Sequence, residues 1–309
     1  MYASLLYAAD YRVLSESDSH LVVLADARLS DEDLAQRFLG RAEYDWRIKE
    51  ANPPSDNPRR VVVIPKRWFN PGGVHQRTQQ VVPILAYHRF GPRPSRMMVT
   101  PESFREQLVY LRDNNFRVVS LSEFQRYLQG EAGLPSKAVV LTIDDGYQSA
   151  YRVAFPLLKE FGYPCTVFIY SDFMNRGGLK TRQMEEMLDS GLIEIQSHSK
   201  SHANLTRRVD GESGDEYMRR VRQEVVEPKQ RLERVLGGND VFAFAYPYGA
   251  TDQQVVREIV ASEHALSVTV TQGVNNFASH PHLLRRTMVF GGWNMERFAR
   301  ALRTETTWR

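Results

Sequence analysis

From residue 81 to near its C-terminus the sequence alternates apolar, β-branched runs with segments of helical period, and this restricts the chain to an α/β fold whose parallel sheet is covered by helices. Strands are predicted at Val82–Tyr87, Arg117–Ser120, Ala138–Ile143, Cys165–Tyr170, Ile193–Gln196, Val241–Tyr246 and Ala265–Val270, with Leu284–Val289 as a possible eighth. Helices are predicted at Pro101–Asn114, Leu121–Gln129, Tyr151–Phe161, Thr181–Ser190, Glu216–Leu236, Thr251–Ser262 and Asn294–Thr304. Seven or eight such units can close into a barrel, and in barrels of this type catalytic groups gather at the C-terminal ends of the strands.

Composition narrows the choice of function. A chain of 309 residues, 42% hydrophobic and 25% charged, is globular and neither disordered nor collagenous. Forty basic against 37 acidic residues leave +3, too little for a basic stripe, so no nucleic-acid partner is expected. No apolar stretch approaches the ~20 residues of a membrane helix, and no membrane span is expected. The first ten residues lack the basic flank and apolar core of a signal peptide, which leaves location to be argued from function. The single cysteine, Cys165, has no internal partner and reads as a buried hydrophobe.

Two turn-rich stretches punctuate the first third: Asn52 to Pro58, and Asn70-Pro71-Gly72-Gly73 running into polar residues up to Gln80. They divide the chain into a small module at 1–66, a linker at 67–80 and a catalytic domain at 81–309. The module reads β-α-α-β: Leu21–Leu24, Asp31–Leu39, Tyr44–Ala51 and Val61–Ile64. With Leu34-Ala35, Asn52 and Ile64-Pro65 it resembles a LysM module, which implies glycan contact through this part; a structural spacer is the alternative.

Three strand ends carry the chemistry. Ala138 to Ile143 ends in Asp144-Asp145-Gly146, two carboxylates that repel unless a cation or donor compensates; capping of the following helix is the other reading. Ile193 to Ser197 ends in His198 and His202, four apart, which can both face one ion across a helical turn. One carboxylate and two imidazoles leave positions open for water and substrate. Val241 to Ala245 ends in Tyr246-Pro247-Tyr248-Gly249, where the proline fixes the backbone and can aim the Tyr248 N–H at a pocket as an oxyanion donor.

In this order, Thr142-Ile143-Asp144-Asp145-Gly146, His198-Ser199-Lys200-Ser201-His202 and Tyr246-Pro247-Tyr248-Gly249 resemble the polysaccharide deacetylase family, carbohydrate esterase family 4 with its NodB homology domain, over about residues 80–300. The resemblance implies a distorted seven-stranded (β/α) barrel and metal-dependent removal of acetyl groups from N-acetylated sugars. It makes Asp144 the general base, Asp145, His198 and His202 the metal ligands, Ser199 a hydrogen-bonding residue of the histidine loop, and Tyr248 the oxyanion donor. The family's usual arginine before the Pro-Tyr is absent, since Ala245 and its neighbours are apolar; Leu283-Leu284-Arg285-Arg286-Thr287 stands where a late histidine is usual.

A general acid must protonate the leaving amine. His88, at the end of the first barrel strand, is the leading candidate over His264, His280 and His282, and Ala86-Tyr87-His88 ahead of the aspartates resembles the circularly permuted branch of biofilm poly-N-acetylglucosamine deacetylases. The ligand types favour Zn2+, with Co2+, Ni2+ or Fe2+ also accepted. The aromatic rings of Tyr147, Phe290 and Trp293 are candidates for stacking on sugars. The expected substrate is an N-acetylhexosamine polysaccharide, a secreted exopolysaccharide ahead of peptidoglycan, met outside the cytoplasm in the periplasm or at the cell surface. A non-catalytic glycan-binding protein on a degenerate fold is the reading of another class.

Overall fold

The computed structural model describes residues 10–26, 28–54, 59–67 and 70–307. The signal-peptide reading of the N-terminus, residues 55–58 of the first turn-rich stretch and residues 68–69 of the expected linker lie outside the described residues. The chain divides into two compact units between Pro71 and Gly72.

In the first unit, β1 (Tyr11–Glu16), β2 (His20–Asp26) and β3 (Arg59–Pro65) form an antiparallel sheet in that order, with α1 (Asp31–Leu39) and α2 (Asp45–Ala51) between β2 and β3. Ser30 caps α1 reciprocally with Asp33, and Gly40 ends it in the left-handed region. Alternate residues Leu21, Val23 and Ala25 meet Leu34, Ala35, Ile48, Val62 and Ile64 in a small core. Asn52 links helix to sheet: its amide donates to the Ile48 and Val63 carbonyls, each at 2.7 Å, and its oxygen accepts the Val63 N–H at 2.9 Å. The order is therefore β-β-α-α-β, and the β-α-α-β pattern on which the LysM likeness rested is incomplete by one strand. Strand β1 escaped the sequence because it is an outer strand whose residues after Tyr11 are exposed, so no burial pattern marks it.

The second unit opens earlier than residue 81. Thr78–Gln80, assigned to the linker, is a strand (β4) paired antiparallel with the last strand, β16 (Glu305–Thr307); both are polar and carry no hydrophobic signal. Its sheet is built around β5 (Val82–Tyr87), β9 (Ala138–Ile143), β10 (Cys165–Ile169), β11 (Ile193–Ser197), β12 (Ala243–Ala245) and β13 (Leu266–Val268), parallel neighbours in that order. Strand β8 (Arg117–Val119) pairs with β9 and β14 (Val274–Asn275) with β5 to complete it, while β6 (Arg89–Phe90) and β7 (Met98–Val99) form a separate two-stranded parallel sheet.

The sheet curls until its ends meet. Thr269 N–H donates to Leu284 C=O and Leu284 N–H to Ser267 C=O, while β15 (Thr287–Met288) pairs with β5. Residues 284–289 thus bridge β13 to β5 as the seventh stave of a distorted barrel, the fold expected from the alternation. Helices α3 (Pro101–Asp113), α4 (Leu121–Leu128), α5 (Phe155–Phe161), α6 (Thr181–Asp189), α7 (Gly214–Val235), α8 (Gln253–Ala261) and α9 (Met295–Ala301) belong to the same unit. Strand side chains alternate between two packed layers: Ile84 and Val140 join Phe168, Ala243, Ala245, Val268 and Leu284, whereas Leu85 and Leu141 meet Phe104, Leu108 and Leu158. All residues of β5 and β9 are buried, as a sheet covered on both faces requires.

Candidate active site

Because the strands are parallel neighbours, their C-terminal ends lie side by side. Backbone ladders continue just past them: Asp144 N–H donates to Tyr87 C=O at 2.8 Å, His198 N–H to Ile169 C=O at 2.9 Å, and Tyr246 N–H to Val268 C=O at 3.1 Å. Three segments distant in sequence are thereby held at one height. The cavity between them has a volume of about 530 Å3, and His88, Asp144, Asp145, His198, His202 and Tyr248 all line it.

Asp145, His198 and His202 converge. Asp145 Oδ1 lies 3.5 Å from His198 Nε2 and 3.3 Å from His202 Nε2. Ligands about 2.1 Å from a tetrahedral ion stand about 3.4 Å apart, so the donor set fits a small divalent cation. His198 Nδ1 lies 2.7 Å from the Ala245 carbonyl, an arrangement that puts its proton on Nδ1 and frees Nε2 to bind. Among the described residues this is the one cluster of three or more such side chains with metal-ligating spacing. Burial raises the pKa of Asp145, but the two imidazoles overcome it and hold the carboxyl far below its ordinary range. Burial lowers that of His198, but Asp145 and the charge of Asp144 raise it on balance.

Asp144 points elsewhere, to Arg286. Arg286 has no exposed surface and donates to both carboxylate oxygens, Nη1 to Oδ1 at 2.7 Å and Nη2 to Oδ2 at 2.6 Å. Its Nε–H donates to the Thr269 carbonyl at 2.9 Å, and Nη1 also donates to Thr142 Oγ1 at 3.1 Å. Burial raises the Asp144 pKa, but the charge and hydrogen bonds of Arg286, with the charges of His198 and His88, together outweigh it and hold the carboxyl below its ordinary value. The arginine missing beside Ala245 is thus supplied by the seventh stave. Sequence reasoning passed over it, because nothing in Leu284-Arg285-Arg286-Thr287 says which arginine turns inward.

His88 Nε2 is 4.0 Å from Asp144 Oδ2; burial lowers its pKa, and the charges of Asp144 and Asp145 oppose that shift. His264, His280 and His282 do not line the cavity, nor does Tyr147, which sits beneath the Arg89 guanidinium 3.9 Å from its ring centre. Phe290 and Trp293 do line it.

The turns that aim these groups are strained. Asp145, Ser199, His202 and Tyr248 all have positive φ, 71°, 71°, 63° and 59°, a conformation that persists for such residues only where surroundings impose it. Behind Tyr248, Gly249 is required: at φ 67° a Cβ there would stand 2.6 Å from Val270 N. Tyr248 is 64% exposed, its ring centre 4.7 Å from that of His202.

Over residues 131–267 the chain matches the family model described as polysaccharide deacetylase. It is 27% identical over 287 residues to a poly-β-1,6-N-acetyl-D-glucosamine N-deacetylase of Escherichia coli K12, covering 82% of this chain and 41% of that protein, so it spans less than half the length of that relative. A protein of the same name from Staphylococcus epidermidis is 26% identical over 165 residues, 52% of this chain and 56% of the relative. Among solved structures, IcaB from Ammonifex degensii superimposes with a TM-score of 0.65 at 28% identity, covering 72% of this chain and 98% of that one.

Proposed function

We propose that this chain is a metal-dependent N-deacetylase that removes acetyl groups from N-acetylhexosamine units of a secreted exopolysaccharide, outside the cytoplasm. The observation that carries the reading is the meeting, in one cavity, of the Asp145, His198 and His202 cluster with an arginine-clamped Asp144. The names borne by the Escherichia coli and Staphylococcus epidermidis relatives support the choice of polymer. No helix among the described residues is long and apolar enough to cross a membrane.

Asp145, His198 and His202 would hold the ion, Zn2+ by ligand type, with Co2+, Ni2+ and Fe2+ compatible with the same set. Its chemistry there is Lewis-acid polarisation of the acetyl carbonyl and of the attacking water. Asp144 removes the proton from that water, its oxygens fixed by Arg286 so that no reorientation is needed when the proton arrives. The Tyr248 N–H faces the oxygen on which negative charge develops. His88, across Asp144, gives a proton to the departing sugar nitrogen, and the products are acetate and a free amine.

The test is acetate release from poly-N-acetylglucosamine and from peptidoglycan by the purified chain. Release from the first supports the proposal. Release from wall glycan alone rejects the exopolysaccharide, and release from neither rejects the enzyme in favour of a glycan-binding protein.

A further inference from the structure

Helix α7 carries a proline in its interior, Pro228, and a buried acid four residues before it, Glu224. In an unbroken helix the N–H of residue 228 would bond to the carbonyl of residue 224; proline has no N–H, so that carbonyl loses its partner. It is not left unsatisfied. The Lys200 N–H, inside the histidine loop, donates to the Glu224 carbonyl at 3.1 Å.

The side chain of Glu224 reaches the same loop. Its Oε2 accepts the Lys200 N–H at 3.1 Å and the Ser201 N–H at 2.9 Å, and its Oε1 accepts the Ser201 hydroxyl at 2.6 Å. One helical residue therefore receives both backbone donors that lie between Ser199 and His202. From the opposite side Ser171 N–H donates to Ser199 C=O at 3.1 Å and Asp172 N–H to Lys200 C=O at 2.9 Å. Inside the loop, His202 N–H donates to Ser199 Oγ at 2.9 Å.

This clamp answers a physical need. Ser199 and His202 occupy the left-handed region, which costs a non-glycine residue on the order of 1–3 kcal/mol and is kept only under external restraint. His198 is pinned by strand β11 and the Ala245 carbonyl, whereas His202 stands at the far end of the loop. We infer that Glu224, with its carbonyl released by Pro228, is a positioning residue that holds the histidine loop in its metal-binding shape. It touches neither substrate nor ion; it acts through Lys200 and Ser201 on the placement of His202. The inference rests on the metal-site reading above.

The experiment is metal titration of the full chain, stripped of metal, with Zn2+ in competition with a chromophoric chelator. Wild type is compared with Glu224→Gln, Glu224→Ala, Pro228→Ala and, as a control on an exposed face of the same helix, Gln223→Ala. Loss of an outer partner of a ligand typically weakens metal binding about ten- to a hundredfold, and that is the shift expected for both Glu224 variants. Pro228→Ala restores the competing N–H and is expected to weaken binding by a smaller factor, while Gln223→Ala matches wild type. Circular dichroism identifies the folded variants. Wild-type affinity in folded Glu224→Gln and Pro228→Ala overturns the inference, even if Glu224→Ala fails to fold. Absence of Zn2+ binding by wild type would instead remove the metal-site reading and this inference with it.

Discussion

Replacing Arg286 with methionine is the sharpest perturbation of Asp144, the proposed base. Methionine can occupy part of the volume of a wholly buried arginine but brings no charge and no donors. The change leaves Asp144, itself 1% exposed, without the cation that meets both of its oxygens. Breaking a buried pair from one side costs about 3–5 kcal/mol, mostly as the penalty of a stranded charge. In a unit running from Gly72 to Arg309, each kcal/mol lowers Tm by about 2–4 °C, so a fall of roughly 6–20 °C is expected. Removing the carboxylate charge as well should return part of the loss: with Asp144→Asn added, the double variant is more stable than the sum of the single losses by about 0.5–3 kcal/mol. Urea unfolding of the two single variants and the double variant gives this coupling. Additive losses, or a loss in Arg286→Met below about 1 kcal/mol, would refute the claim that the pair forms one buried unit.

Other consequences concern the base, the oxyanion turn and pH. Asp144→Asn is expected to bind metal as wild type does but to lose at least about a hundredfold in turnover, because a general base is worth about 10²–10⁴; near-normal acetate release would reassign the base. Gly249→Ala places a Cβ 2.6 Å from Val270 N at a φ of 67°, so thermal unfolding should show a loss of about 2 kcal/mol or more and acetate release should fall with it. A well-tolerated alanine would mean that the turn behind Tyr248 is loose. Burial, joined by the charges of Lys229 and His282, pushes the His264 pKa down to about 3. The unfolded chain therefore binds the extra proton between that value and about 6.5, so stability rises with pH across this window, and is lost as the pH is lowered, by up to about 1.4 kcal/mol per unit. His264→Asn should flatten the slope in urea melts from pH 4 to 7, and an unchanged slope would assign it to other groups.

What the sequence made legible was whatever rested on local periodicity. Strands β5 and β9, buried on both faces, read as apolar runs, and their ends located His88 and the Asp144-Asp145 pair respectively. The proposed ligand set was readable because Asp145 and His198 stand within two residues of the ends of β9 and β11, with His202 four residues beyond His198, and parallel pairing through β10 brings those ends together. Arg286 was not, because its role depends on a closure 142 residues away in sequence from Asp144. Nor was the grip of Glu224 on the histidine loop, since a glutamate at helical spacing looks solvated until the helix that bears it packs. The polar strands β4 and β16 and the exposed β1 lacked an apolar signal for the same reason: a strand that buries little leaves no pattern.

The central claim is that Asp145, His198 and His202 bind one divalent cation. Elemental analysis of the purified chain after dialysis measures it directly. The account predicts one ion per wild-type chain and none in His198→Ala or His202→Ala, with the fold retained by circular dichroism. Wild-type protein without bound metal, or full occupancy in both histidine variants, would contradict it.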